Sequence, residues 1–365
     1  MKSPFAKSRF NRGSVRFAAT AASVVVIAGV ATLALRQNHT RKADLSCKAS
    51  AHFRIGYQKS GILNLQRLRG GLERRLHSEN VQVDWVSFPA GPQILEGISA
   101  GDIDAGWTGD APVIFALASG SDIAFVANSA PDNSGESRAI IVPGNSSIHQ
   151  ASDLTGKRIA VQKGSGSHNL LVQVLEHANV PYQSIHPVYL APADARAAFE
   201  TGSVDAWTIW DPYLAIEQKQ LAVRTVAGGK GIVTAGGFYV SRRDFARKHP
   251  RWLQALLSEA EGNARWAELN PTEASKLIAP QAGLDPVALE TTVRRLHAPQ
   301  LKVLEAGPLT DEVINAEQKV ADEFLRIGLL PSRVDVRKGL LTPQEYAAFQ
   351  VNAPGAIKVG QVDLR

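Results

Sequence analysis

Apolar and polar positions follow two different periods along this chain. Residues 81–88 alternate between apolar and polar side chains, which is typical of a half-buried strand, and residues 158–161 form the short apolar run of a buried strand. Residues 93–99, 113–118 and 170–175 have the spacing and composition of helices. Strand and helix patterns succeed one another, and this order predicts open, mainly parallel α/β sheets with flanking helices.

A stretch near the start of this pattern recurs later in the chain. Residues 53–61 (FRIGYQKSG) resemble residues 157–165 (KRIAVQKGS), and residues 101–105 (GDIDA) resemble residues 202–206 (GSVDA). A repeat spacing of about a hundred residues is too long for a solenoid. It predicts two lobes of similar construction, with ligand-binding loops at the carboxyl ends of their strands.

The second half of the chain is mostly helical. Helical apolar spacing, with Pro or Thr near most of the starts, covers residues 251–269, 271–278, 286–296 and 310–327. We expect these helices to return and cover the first lobe. The predicted organisation is a first lobe of residues 52–140 and 236–345, a second lobe of residues 141–235, and a C-terminal tail of residues 346–365.

The basic character of the chain is confined to its start. Residues 1–48 hold nine of the 40 Lys and Arg residues and one of the 34 acidic residues, so the remainder is slightly acidic. This distribution argues against a nucleic-acid-binding surface. An apolar run at residues 17–35 indicates export, so residues 1–51 are predicted to be a signal peptide, or an uncleaved anchor, with a tether. The lone Cys47 forms no intrachain disulfide.

A loop of small residues suits an anionic ligand. Residues 162–169 (QKGSGSHN) lie between a predicted strand and a predicted helix, whose first turn carries unpaired N–H groups and a partial positive charge. Gly164 and Gly166 permit close approach to the backbone, and Ser165 and Ser167 add hydroxyl donors. The alternative is an ordinary serine cap with flexible glycines.

The sequence contains no recognisable catalytic or metal-binding motif. It has no nucleophile elbow and no histidine spacing for a metal, so we expect no enzyme activity, cofactor or metal. Asp110 and Asp211 stand close to Trp107 and Trp210 at predicted strand ends. These aspartates either cap the following helices or line a ligand cleft that the aromatic rings wall.

Seven linked motifs resemble one family. They match the aliphatic-sulfonate substrate-binding proteins of ABC importers, a group with taurine- and nitrate-binding members, at residues 55–59, 88–93, 108–110, 162–165, 167–170, 191–199 and 204–213. The resemblance implies a two-lobed, periplasmic-binding-protein-like fold of type II. It also implies an exported, monomeric periplasmic protein that captures an alkanesulfonate and delivers it to a permease in the inner membrane.

The family's ligand-contacting loops supply the candidate site. By this resemblance the ligand-binding residues are Gln58, Lys59, Ser60, Gly91, Pro92, Thr108, Gly109, Asp110, Ser165, Gly166, Ser167, His168, Trp210 and Asp211. Taurine, nitrate or a thiamine-precursor pyrimidine remain alternative ligands. A desulfinase-like hydrolase is a further alternative. Such enzymes use a cysteine in the cleft, where this chain has Ser60 and Gly61.

Overall fold

The computed structural model describes residues 50–129, 135–232, 236–300 and 309–348, without the side chains of residues 296–300. Almost all of the predicted leader, residues 1–51, and most of the predicted tail, residues 346–365, lie outside this part of the chain. Within the described ranges, no helix has both the length and the apolar character that crossing a membrane requires.

The first of two five-stranded sheets has the order β2-β1-β3-β10-β4. Strands β1, β2 and β3 pair in parallel, whereas β10 is antiparallel to both of its neighbours. The strands are β1 (Ala51–Tyr57), β2 (Val81–Ser87), β3 (Ala105–Thr108), β4 (Ile123–Asn128) and β10 (Phe238–Arg242). The sheet is therefore mainly parallel, with one antiparallel strand that returns from the second half of the chain.

The second sheet repeats this plan in the order β7-β6-β8-β5-β9. Here β6 pairs in parallel with β7 and β8, and β5 is the antiparallel strand. The strands are β5 (Arg138–Pro143), β6 (Arg158–Val161), β7 (His186–Tyr189), β8 (Ala206–Trp210) and β9 (Val223–Gly228). Strand β5 begins at Arg138, slightly before the predicted lobe boundary at residue 140. The two-lobed α/β prediction is confirmed.

Helices flank both sheets. In chain order they are α1 (Ile62–Arg69), α2 (Gly71–His77), α3 (Gly91–Ala100), α4 (Asp110–Ala118), α5 (Gly166–His177), α6 (Pro192–Glu200), α7 (Tyr213–Gln220), α8 (Arg243–Lys248), α9 (Pro250–Leu269), α10 (Pro271–Ala282), α11 (Pro286–Gln300), α12 (Asp311–Arg326) and α13 (Pro343–Ala347). Proline at the first helical position suits α9 and α10, because the N–H that proline lacks has no partner there.

The helices that follow β10 serve both lobes. Helix α9 packs on the first sheet, where Leu256 and Leu257 join the cluster around Phe53. Helix α11 instead reaches the second lobe, where Ala288 contacts Ala215 and its neighbour in α7. The prediction that these helices cover the first lobe is therefore incomplete, because the C-terminal helices also bridge the two lobes.

The internal repeat has a structural explanation in paired ionic contacts. In the first lobe, Arg54 donates to both carboxylate oxygens of Asp104, with the shorter contact at 2.7 Å, and its backbone N–H donates to the same carboxylate. In the second lobe, Arg158 makes the same three bonds to Asp205. Each pair links one strand, β1 or β6, to the turn that precedes the parallel strand beside it in the sheet, β3 or β8.

Removing these two aspartates is expected to have unequal effects on stability. The Asp104 side chain is 3% exposed, whereas that of Asp205 is 33% exposed. Asp104→Ala should lower the free energy of unfolding by about 3 kcal/mol, since it leaves polar partners unpaired in a buried site. Asp205→Ala should cost about 1 kcal/mol. Urea unfolding of both variants measures the difference, and equal losses would contradict this account.

Candidate ligand-binding site

A cavity of about 110 Å³ lies between the two sheets. It is lined by residues that follow the carboxyl ends of strands in both lobes, which is where open α/β sheets bind ligands. Gln58 and Gly109 follow β1 and β3 of the first lobe, and Ser165 and Asp211 follow β6 and β8 of the second. Drug-sized ligands occupy pockets of roughly 300–1,000 Å³, so this cavity favours a compact ligand.

The start of helix α5 forms one wall of the cavity. Ser165 is its N-cap, and its hydroxyl oxygen accepts a hydrogen bond from the backbone N–H of His168 at 3.2 Å. The serine-cap interpretation is therefore confirmed. Ser167 lines the same wall and is 1% exposed, yet its hydroxyl has no hydrogen-bond partner among the described residues. A buried hydroxyl without a partner at a positive helix end is suited to an acceptor-rich ligand.

Glycines allow the backbones to approach one another at this wall. Gly166 fits between two side chains of opposite charge, because a Cβ there would lie 2.9 Å from both Arg138 Nη1 and Asp110 Oδ1. A Cβ on Gly109 would stand 3.7 Å from the Cα of Gly166, so the two lobes meet at this point. Gly91 begins helix α3, and a Cβ there would clash with the Thr108 hydroxyl at 2.0 Å.

Aromatic and aliphatic side chains form the rest of the lining. Tyr57, Trp107 and Trp210 contribute rings, and Ile62 and Leu63 contribute aliphatic groups from the start of α1. The indole N–H of Trp107 is occupied, since it donates to the hydroxyl of another lining residue at 3.1 Å. The cavity therefore combines a polar wall of donors with an apolar remainder.

Nine of the fourteen predicted site residues line this cavity: Gln58, Ser60, Gly91, Gly109, Ser165, Gly166, Ser167, Trp210 and Asp211. The other five, Lys59, Pro92, Thr108, Asp110 and His168, are not part of the lining. Thr108 and Asp110 are fully buried behind it. The structure thus brings together the loops that the sequence predicted, but not every side chain within them.

The His168 side chain supports the glycine-rich loop of residues 162–165 from the side away from the cavity. Its ring Nδ1 accepts a hydrogen bond from the Gly164 N–H at 3.1 Å, and its Nε2 lies 2.7 Å from the Tyr182 hydroxyl. The ring also stacks on Phe324 of helix α12. Burial, with a contribution from the charge of Lys163, lowers the pKa of His168 to about 3. The histidine is therefore neutral and shapes the loop that carries Ser165.

Both aspartates of the predicted site already accept hydrogen bonds from protein N–H groups. Asp110 Oδ1 accepts from the Ala111 N–H at 2.9 Å, and its Oδ2 accepts from the side-chain amide of Asn169 at 2.8 Å. Asp211 Oδ1 accepts from the Ala215 N–H at 3.0 Å and lies 3.3 Å from Arg295 Nη1. Asp211 therefore pairs with a first-turn N–H of α7 from the position before the N-cap residue Pro212, and it also lines the cavity.

Arg138 is the main site residue that sequence reasoning missed. It opens β5, lines the cavity with a side chain that is 16% exposed, and lies 3.4 Å from the Asp110 carboxylate. Its signal in the sequence was weak, because Arg138 is a single charged residue that directly precedes the apolar residues 139–142. Ser129 and Ser137 also line the cavity outside the predicted loops.

Comparison with known proteins places the chain in a family. A family model described as NMT1/THI5 like matches residues 77–274. A relative from Escherichia coli (strain K12), named as an aliphatic sulfonates-binding protein, is 38% identical over 82% of this chain and 91% of its own length. The chain belongs to the aliphatic sulfonate-binding proteins.

Solved structures agree with this membership. The alkanesulfonate-binding protein SsuA from Xanthomonas axonopodis pv. citri, bound to MOPS, superposes with a TM-score of 0.75 at 39% identity, covering 80% of this chain and 98% of its own. The desulfurization enzyme DSZB is more distant, with a TM-score of 0.55 at 16% identity over 82% of this chain and 98% of its own. Similarity at that level shows a shared fold alone.

Proposed function

We propose that this chain captures aliphatic sulfonates in the cavity between its lobes and delivers them to the permease of an ABC importer. The observation that carries the proposal is the start of helix α5, where the buried Ser167 hydroxyl lines the cavity and has no hydrogen-bond partner in the part of the chain that the structure describes. A sulfonate is ionised throughout the physiological pH range and only accepts hydrogen bonds. A wall of donors at a positive helix end suits such a head group.

The expected strength of these contacts fits a transport protein. A hydrogen bond to a charged group contributes about 1.5–3 kcal/mol. Two or three such bonds supply a large part of the ~8 kcal/mol that corresponds to micromolar affinity. The rings of Tyr57, Trp107 and Trp210 would hold the tail, and closure of the two lobes would exclude water from the head group.

The same cavity is expected to discriminate against taurine. Both nearby aspartates, Asp110 and Asp211, already accept hydrogen bonds from protein N–H groups. Among the described lining residues, a taurine ammonium would therefore find no carboxylate that lacks a protein partner, which is costly for a buried charge. Taurine should bind at least tenfold more weakly than ethanesulfonate, from which it differs by one amino group.

Isothermal titration calorimetry with ethanesulfonate, taurine, a sulfate ester and nitrate tests both the binding of sulfonates and the weaker binding of taurine. Ethanesulfonate and taurine form the matched pair, and nitrate tests whether an oxyanion alone is sufficient. Absence of binding by every sulfonate would contradict the proposed function. Equal affinity for taurine and ethanesulfonate would contradict only the argument about the aspartates.

We propose that the chain acts by binding and lobe closure, without a chemical step. The family's sulfonate-binding relatives are binding proteins by name, and the loop after β1 carries Ser60 and Gly61 rather than a cysteine. Incubation of the full chain with an aryl sulfinate should release no sulfite. Release of sulfite would instead favour the desulfinase-like alternative.

We also propose that the protein is exported to the periplasm and acts there as a monomer with a permease as its partner. The support for export is the apolar run at residues 17–35, which follows a basic N-terminal stretch. Mass spectrometry of the exported protein decides between removal of the leader and an uncleaved anchor. An anchor would raise the local concentration of the protein at the permease.

A further inference from the structure

Arg138 is placed where both lobes and the cavity meet. It begins the first strand of the second sheet, and its Nη1 lies 3.4 Å from Asp110 Oδ2 and 3.3 Å from the Gly166 carbonyl oxygen. Asp110 belongs to the first lobe and Gly166 opens the helix that faces the cavity. Of the described residues that line the cavity, Arg138 and Asp211 carry a formal charge, and the Asp211 carboxylate already lies 3.3 Å from Arg295 Nη1.

We propose that Arg138 binds the anionic head group directly, and that the Asp110 carboxylate beside it offsets part of its positive charge. This inference rests on the proposed function and names a specificity-determining residue of the same cavity. An arginine offers five N–H donors in a planar arrangement that matches the oxygens of a sulfonate. Such a residue favours acidic ligands that carry several acceptor oxygens on one atom.

The contacts of Arg138 are looser than those of an arginine that serves only the fold. The structural pair in the first lobe joins Arg54 to Asp104 at 2.7 Å with two side-chain donors. Arg138 makes its two contacts to described residues through one nitrogen, at 3.3 and 3.4 Å, near the long limit for hydrogen bonds. Its remaining donors are therefore available to a ligand in the cavity.

A second buried acidic residue lies close enough to Asp110 to interact with it electrostatically. Glu317 of helix α12 is fully buried, and its carboxyl oxygens have no hydrogen-bond partner among the described residues. Burial and the nearby Asp110 carboxylate raise the pKa of Glu317. The Asp110 carboxylate lies 3.4 Å from Arg138 Nη1, and removing its charge would leave the guanidinium with more of its own charge to attract an anion.

Two substitutions are expected to change affinity in opposite directions. Arg138→Gln should weaken ethanesulfonate binding by about tenfold to a hundredfold, the loss typical of one charge-assisted bond. Asp110→Asn keeps the shape of the side chain and removes its charge, and should tighten binding at least threefold. Calorimetry on the full chain measures both, with circular dichroism and thermal unfolding as checks that each variant is folded.

The conservative variant and the salt dependence provide independent readouts. Arg138→Lys keeps the charge and should lose less affinity than Arg138→Gln. Added NaCl should weaken ethanesulfonate binding to the wild-type protein more steeply than to Arg138→Gln, since the variant lacks the cation that salt screens. If Asp110→Asn does not fold, the Arg138 variants and their salt dependence still test the inference.

Three outcomes would overturn the inference. These are an affinity of Arg138→Gln within twofold of wild type, equal losses for the lysine and glutamine variants, or weaker binding by a folded Asp110→Asn. Any of them would mean that Arg138 contacts Asp110 as part of the fold and does not bind the ligand. Failure of the wild-type protein to bind any sulfonate would instead contradict the proposed function, so the two failures are distinguishable.

Discussion

Ser165→Asp is expected to lower the affinity for ethanesulfonate by more than a hundredfold while leaving helix α5 folded. Ser165 lines the cavity and is 3% exposed, so the new carboxylate would lie beside the proposed head-group position. Two like charges about 5 Å apart repel by about 3 kcal/mol at an effective dielectric constant of about 20. This energy corresponds to a loss of about a hundredfold or more in affinity.

The same substitution should preserve the helix, because Asp is as good an N-cap as Ser. The Ser165 oxygen accepts from the His168 N–H, and a carboxylate oxygen can take over that bond. Ser165→Asn is the matched control, since it caps the helix without a charge and should retain binding within a few-fold. Calorimetry at pH 8 keeps the new acid ionised. Retained affinity in the aspartate variant would mean that the anion binds elsewhere.

Glu317→Gln is expected to stabilise the protein increasingly as the pH rises. In the wild-type protein, burial and the Asp110 carboxylate raise the folded-state pKa of Glu317 well above its ordinary value. Between the ordinary and the raised pKa, the folded state holds a proton that the unfolded state has released. The wild-type protein therefore loses stability with rising pH in this window, by about 1.4 kcal/mol per pH unit.

Glutamine has the shape of the protonated acid and does not titrate, so this loss disappears in the variant. The difference in unfolding free energy between Glu317→Gln and wild type should grow from pH 5 upward, until the folded-state pKa is passed. Urea unfolding at four pH values between 5 and 8 measures it. Glu312→Gln, an exposed change in the first turn of the same helix, is the control. A pH-independent difference would contradict the account.

Local pattern was sufficient for much of the fold. The alternation at residues 81–88 became β2, the apolar run at 158–161 became β6, and the four predicted C-terminal helices correspond to α9, α10, α11 and α12. Such elements are predictable because their signals are local, in apolar period, capping residues and proline positions. The antiparallel strands β5 and β10 were not predicted, because pairing direction depends on partners far away in the chain.

The candidate site was predictable only as far as loops at strand ends. Ser165, Gly166 and Ser167 line the cavity because a strand, a glycine-rich loop and a helix start follow one another directly. The adjacent His168 does not line it, since its ring turns inward to Tyr182. Sequence spacing places a residue in a loop, but packing decides which way its side chain points.

By itself, the sequence determined the two-lobe plan and the position of the glycine-rich loop at residues 162–169. The two-lobe plan was visible as a repeat in the sequence itself, and the serine cap acts within one helical turn, so the sequence was sufficient for both. The Arg–Asp pairs behind the repeat join residues 50 and 47 positions apart, and only the structure shows these contacts. Only the tertiary structure decided that Arg138 faces the cavity and that Glu317 is buried close to Asp110. These contacts join residues that are distant in the chain, and their burial and charge depend on packing between the lobes.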